Sequence, residues 1–187
     1  MGDPQFSGRI SQLPGARAEA AEVRELLESA GVACEHMSGA AATKGAVTSA
    51  LPRVSIAHLA THGCPDGLFL AGDADPERPS LSTVDVYGLE LSAELAVLSA
   101  CDTFKGVLRT DGVVGVARSF LAAGVSSLAV SLWKVDDRAT KELMVQLYRR
   151  YTAGADAATA MRGAMCAMIA AKKWTRKQWA AFVIYGL

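Results

Sequence analysis

Hydrophobic residues along the chain follow two spacings, one typical of helices and the other of strands. Apolar residues at every third or fourth position, with capping residues at the ends, predict helices over 18–30, 43–51, 82–87, 111–123, 136–151 and 156–170. Compact apolar runs predict strands over 32–35, 54–60, 95–100, 125–133 and 179–185, with a hairpin at 68–71. Because strands alternate with helices, we predict one α/β domain over 1–187, with a mostly parallel sheet covered on both faces.

Three of the predicted strands end in polar, reactive residues. The first runs into His62-Gly63, the second into Cys101-Asp102, and the third into Trp133-Lys134-Val135-Asp136-Asp137. In open α/β sheets, functional residues usually lie at the carboxyl ends of the strands. Neighbouring strands lie about 4.8 Å apart, so these side chains can come into contact. A histidine can take the proton of a cysteine thiol and so form the thiolate nucleophile. Gly63 and the amide of Cys101 are candidate oxyanion donors.

Charge and cysteine usage narrow the possible partners and compartments. The 19 Lys and Arg residues balance the 19 Asp and Glu residues, so we expect neither a nucleic-acid nor a membrane partner. The four cysteines form no CxxC pair and no signal peptide is visible, which favours a reducing, intracellular location, cytoplasmic or nuclear. The G-x-S-x-G and P-loop motifs are absent, which argues against the hydrolases and nucleotide-binding proteins that carry them.

Several motifs closely resemble the CHAT family of caspase-like (clan CD) cysteine peptidases, which is named for its link to caspases and tetratricopeptide proteins. In chain order they are Leu13-Pro14-Gly15-Ala16-Arg17, His58-Leu59-Ala60-Thr61-His62-Gly63, Leu98-Ser99-Ala100-Cys101-Asp102-Thr103, Asp111-Gly112-Val113-Val114-Gly115-Val116-Ala117-Arg118, Ser131-Leu132-Trp133-Lys134-Val135-Asp136-Asp137 and Trp179-Ala180-Ala181-Phe182-Val183. The resemblance implies a caspase–hemoglobinase three-layer sandwich, related to that of caspases and separase, and a catalytic dyad of His62 and Cys101. It also implies a protein or peptide substrate, tetratricopeptide-repeat regions as partners in cis or in trans, and chemistry that requires no metal or cofactor.

The resemblance also predicts a departure at the start of the chain. In the family, an apolar strand leads into the Gly-Asp-Pro turn, whereas Met1 directly precedes Gly2-Asp3-Pro4 here. We therefore expect the domain to lack the family's first strand, which makes N-terminal truncation one interpretation. A catalytically inactive interaction module that keeps the fold is the alternative function.

Acidic residues after the third strand predict the substrate pocket. Related families place a carboxylate there for the residue before the scissile bond (P1), so the resemblance makes Asp136, Asp137, Asp102 and Trp133 candidate substrate-binding residues. A carboxylate in the pocket favours Arg or Lys. The competing interpretation is that Asp136 or Asp137 only caps the following helix, and that Trp133 only packs.

Other reactive side chains have structural interpretations. Cys101 can be a buried thiol, His58 is expected to be a satisfied core histidine, and Cys166 is expected in the core. The pairs Cys34-x-His36 and His62-x-Cys64 lack the usual spacing of zinc ligands.

Overall fold

The computed structural model describes residues 1–100, 107–109, 112–134 and 136–186. Its strands, in chain order, are β1 (Gly2–Pro4), β2 (Ser38–Gly39), β3 (Ile56–Ala60), β4 (Gly63–Cys64), β5 (Gly67–Leu68), β6 (Leu81–Ser82), β7 (Leu95–Ser99), β8 (Val107–Arg109), β9 (Gly112–Val114), β10 (Ser127–Ser131) and β11 (Phe182–Gly186). Its helices are α1 (Pro14–Ser29), α2 (Lys44–Ala50), α3 (Thr83–Tyr87), α4 (Val116–Ala122), α5 (Asp137–Tyr151), α6 (Ala157–Ala170) and α7 (Arg176–Trp179), with a 3₁₀ turn at Leu51–Arg53.

The central sheet is mostly parallel, as the alternation of strands and helices predicts. Its strand order is β11-β10-β7-β3-β1-β2; β11 pairs with β10 in the antiparallel direction, and the other pairings described for this sheet are parallel. The strands β3, β7 and β10 lie side by side in register, which brings their carboxyl ends to one edge.

Helices cover both faces of this sheet because the central strands are apolar on both sides. Leu95 and Val97 of β7 pack with α1, α5 and α6, whereas Ala96 and Leu98 pack with α2, α3 and α4. The result is a three-layer α/β sandwich. Among the residues described, no helix combines the length and the apolar composition needed to cross a membrane.

Several of the predicted elements differ from the structure. The hairpin predicted at 68–71 lies earlier, where β4 pairs with β5, and the strand predicted over 179–185 begins at Phe182, because Trp179 belongs to α7. Residues 32–35 form no strand, and the short strand on that side is Ser38–Gly39. The helix predicted to begin at 111 begins at Val116, because Gly112–Val114 pairs instead with β8.

A short strand occupies the position of the strand that we expected to be missing. Gly2 pairs with Ala60 of β3 and with Ser38 of β2, and the Ala60 amide donates to the carbonyl of Met1 at 3.0 Å. This finding corrects the prediction: a strand of three residues lies between β2 and β3.

Candidate active site

A narrow cavity of about 50 Å³ lies at the carboxyl ends of β3, β7 and β10. The strands contribute Thr61, His62, Ser99, Ala100, Ser131 and Trp133 to its lining, α1 and the residue before it contribute Leu13, Ala16 and Glu19, and Asp137, Thr140 and Phe182 complete it. The lining thus contains residues from two of the three predicted strand ends, together with Ala100, the residue before Cys101.

The His62 imidazole is fixed by two neighbours in the segment between β1 and α1. Its Nε2 lies 2.9 Å from the carbonyl oxygen of Ser11, and its ring lies 5.2 Å from the ring of Phe6, centroid to centroid. A carbonyl oxygen only accepts hydrogen bonds, so in the neutral ring Nε2 carries the proton and Nδ1 is left as the proton acceptor. This tautomer suits a general base that works through Nδ1.

A buried carboxylate holds the segment that carries Ser11. Asp3 is 2% exposed, and its side chain accepts a hydrogen bond from the Leu13 amide at 2.6 Å and another from Arg17 Nε at 3.1 Å. These bonds join β1 to the first turn of α1 and so fix the segment between them. The Gly-Asp-Pro and Leu-Pro-Gly-Ala-Arg motifs are visible in the sequence, but the pairing of Asp3 with Arg17 is not.

The hairpin after His62 fixes its backbone. The Phe69 amide donates to the His62 carbonyl at 3.0 Å, and the buried Thr61 hydroxyl donates to the Phe69 carbonyl at 2.6 Å. Gly63 is therefore held at the start of β4, where it pairs with Leu68.

The register of β3 and β7 shows which positions in the chain correspond after the last paired residues of the two strands. Ala60 pairs with Ser99, so His62 and Cys101 each come two residues after a paired position. Cys101 and Asp102 themselves lie outside the described residues.

The two acidic residues before and within α5 have different surroundings. Asp136 is the N-cap of α5, and its Oδ1 accepts from the amides of Arg138 and Ala139 at 3.1 Å each. Asp137 lines the cavity, where its carboxylate packs directly on Gly15; a Cβ at Gly15 would overlap it. Trp133 also lines the cavity, and its Nε1 donates to the Lys177 carbonyl at 2.7 Å.

His58 lies inside β3 and is buried as expected, but its Nε2 has no hydrogen-bond partner among the described residues, so the expectation of a satisfied ring is wrong for this atom. Its Nδ1 is 3.2 Å from the hydroxyl of Tyr148, and its Nε2 is 3.1 Å from Oε1 of Glu19. Burial, and then the nearby Glu19 carboxylate, raise the pKa of Tyr148 well above its usual range, so this side chain stays a neutral hydroxyl. Glu19 is 97% buried and could not be found from the sequence, because helical periodicity alone does not predict a buried carboxylate.

The remaining cysteines have other environments. Burial raises the pKa of the Cys64 thiol, which keeps it protonated and a poor nucleophile at neutral pH. Cys166 is exposed, contrary to the prediction of a core position, because α6 packs through Ala160, Ala164 and Met168 on its opposite face. Within the described residues, no three His, Cys, Asp or Glu side chains come together as metal ligands would.

Comparison with known proteins places this site in a recognised fold. Residues 1–187 match the profile of the CHAT domain. Tetratricopeptide repeat protein 28 of Homo sapiens and that of Mus musculus are each 29% identical over 232 aligned positions, which cover 100% of this chain but 9% of theirs. The chain thus spans less than a tenth of the curated relatives that it matches.

The fold resembles that of gingipains, which are caspase-like cysteine proteinases. The crystal structure of the Arg-specific gingipain R matches 98% of this chain and 44% of its own, with a TM-score of 0.69 and 11% identity. The complex of the pro- and mature domains of RgpB from Porphyromonas gingivalis matches with a TM-score of 0.67 and 15% identity, over 98% of this chain and 45% of that one. The fold is therefore caspase-like, and by the match along its whole length the chain belongs to the CHAT domain family.

Proposed function

We propose that this chain is a cysteine endopeptidase domain in which His62 is the general base and Cys101 is the nucleophile. The observation that supports the proposal is the register of β3 and β7, because Ala60 pairs with Ser99 and both His62 and Cys101 follow a paired residue by two positions in the chain. The contact between His62 Nε2 and the Ser11 carbonyl supports it, since it leaves Nδ1 to accept the thiol proton.

In the proposed reaction, His62 takes the proton of the Cys101 thiol, and the thiolate sulfur attacks the carbonyl carbon of the peptide bond. The backbone amides of Gly63 and Cys101 stabilise the oxyanion of the tetrahedral intermediate. The imidazolium then protonates the departing amine as the C–N bond breaks, which leaves a thioester at Cys101. Water, deprotonated by His62, hydrolyses the thioester and regenerates the thiol.

The cavity beside His62 is the proposed pocket for the P1 residue, the one before the scissile bond. Asp137 supplies an acidic group there, and Trp133 supplies an aromatic wall. We expect Arg or Lys at P1 rather than Asp or Glu, because like charges repel and a guanidinium can bond a carboxylate through two N–H groups. Asp102 is a further substrate-binding candidate, whereas the capping bonds of Asp136 favour a structural role for it.

Tetratricopeptide-repeat regions are the proposed partners of this domain, in cis or in trans. The support is that two curated relatives are tetratricopeptide repeat proteins by name. Such regions would present or restrain protein substrates. The proposed peptidase activity does not depend on this role.

Covalent labelling tests the proposed activity. A peptide acyloxymethyl ketone with Arg at P1 should add one adduct at Cys101, and Cys101→Ala should abolish the adduct. Cys64→Ala is the matched control and should leave it unchanged. Absence of an adduct with every P1 side chain tried would contradict the peptidase and favour the inactive interaction module.

A companion variant tests the base. His62→Ala should abolish labelling while the circular dichroism spectrum stays that of the wild type, because this half-buried side chain lies beyond the end of β3. Loss of the spectrum together with the activity would make His62 a structural residue.

A further inference from the structure

A second acidic residue, Glu19, lines the same cavity as Asp137. Glu19 lies on α1, one turn after Gly15, and only 3% of it is exposed. Asp137, by contrast, is exposed at the rim. The cavity is therefore acidic both at its floor and at its rim, and among the described residues no Lys or Arg side chain lines it.

The Glu19 carboxylate is not fully satisfied by the protein. Its Oε1 lies 3.1 Å from His58 Nε2, but the two atoms are not aligned for a hydrogen bond, and both are buried without another partner among the described residues. The other nitrogen of His58 faces the hydroxyl of Tyr148. A buried carboxylate is costly unless charged or hydrogen-bonding groups compensate it, so this oxygen is suited to a donor that arrives with a ligand.

We propose that Glu19 is a specificity-determining residue that binds the cationic end of a basic side chain at the floor of this cavity. The proposal rests on the function proposed above in taking the cavity as the P1 pocket. A guanidinium is the group that the chemistry favours, since its planar set of N–H donors can bond a carboxylate through two parallel hydrogen bonds.

The position of His58 behind Glu19 makes occupancy of the cavity detectable. Oε1 of Glu19 lies 3.1 Å from His58 Nε2, so a cation that binds Glu19 changes the charge beside the imidazole, and the imidazole signals of His58 should respond to it. Asp137 lacks such a contact with His58 in the structure, and a ligand held at the rim alone should leave those signals unchanged.

Agmatine, a decarboxylated arginine, is the probe for a binding test by calorimetry and NMR. We expect it to bind the wild-type chain and to shift the His58 signals with the same dissociation constant. Glu19→Gln should weaken binding at least tenfold, whereas Glu25→Gln, an exposed residue on the same helix, should leave it unchanged. N-carbamoylputrescine, which keeps the ammonium of agmatine but replaces its guanidinium with an uncharged urea, should bind at least tenfold more weakly than agmatine.

Three results would overturn the role of Glu19: no agmatine binding, equal affinity in Glu19→Gln, or binding that leaves the His58 signals unmoved. The last of these needs only the wild-type chain, so it decides the question even if Glu19→Gln fails to fold.

Labelling of Cys101 separates this inference from the proposed activity. Agmatine binding at Glu19 without labelling of Cys101 would support the cation-binding site and contradict the proposed peptidase activity. Equal labelling of wild type and Glu19→Gln by Arg and Leu ketones retains the peptidase and contradicts the role of Glu19.

Discussion

Replacing Asp3 with alanine removes the carboxylate that joins β1 to the start of α1. The Leu13 amide loses a hydrogen bond to a charged acceptor, which costs about 1.5–3 kcal/mol of unfolding free energy. Arg17 is 60% exposed, so its ion pair with Asp3 adds only about 0.5 kcal/mol. The backbone φ of residue 3 is +50°, a conformation that costs alanine about 1 kcal/mol. We therefore expect a destabilisation of about 3–4.5 kcal/mol.

Urea unfolding measures this loss, and Asp3→Asn is the matched control. Asparagine keeps an oxygen for the Leu13 amide and tolerates positive φ, so it should cost about 1 kcal/mol or less. The alanine variant should also release the segment that carries Ser11, which NMR detects as a change in the tautomer signals of the His62 ring. A loss below 1 kcal/mol in Asp3→Ala, or unchanged His62 signals in it, would refute the proposed link from Asp3 to the active site.

Two further predictions concern packing and pH. Gly15→Ala places a Cβ against the Asp137 carboxylate and should cost about 1–3 kcal/mol in thermal unfolding. In Gly45→Ala the new Cβ meets open space within α2, so this variant should be more stable than the wild type by about 0.4–1 kcal/mol. A stabilised Gly15→Ala together with a destabilised Gly45→Ala would contradict the packing. Hydrogen bonds from Lys44 and Ser82 hold the pKa of Asp85 at about 2, below its usual value of about 3.9. The contribution of Asp85 to the free energy of unfolding is therefore complete above about pH 4 and is lost as the pH falls towards 2. Since Lys44 is 47% exposed, this contribution should be about 1 kcal/mol. The wild type should therefore be more stable to unfolding than Asp85→Asn by this amount at pH 6, and the difference should disappear near pH 2. A difference that is the same at both pH values would contradict the prediction.

The strands that carry the site could be predicted from sequence because each is a strong local signal. The runs ending before His62, Cys101 and Trp133 are continuous and apolar, and the structure pairs them as β3, β7 and β10. The first strand was harder, because three residues of Gly-Asp-Pro have little strand propensity and are held by pairing on both sides.

The contacts within the site could not be predicted, because they join residues far apart in the chain. The Ser11 carbonyl meets His62 across 51 positions, and no local pattern encodes that contact. Sequence likewise could not distinguish Asp136 from Asp137, since adjacent acidic residues before a helix are equally good capping candidates. Their difference emerges only from the orientation of α5 against Gly15.

The alkylation rate of Cys101 as a function of pH tests the pairing of His62 with Cys101 most directly. Iodoacetamide modification, followed at the Cys101 peptide by mass spectrometry, should be fast in the wild type at pH values well below about 8.5, the ordinary pKa of a thiol. In His62→Ala the profile should move up to that ordinary value. Cys64, whose pKa is raised by burial, is the internal reference and should react only at higher pH in both proteins. Coincident Cys101 profiles in the two proteins would contradict the dyad.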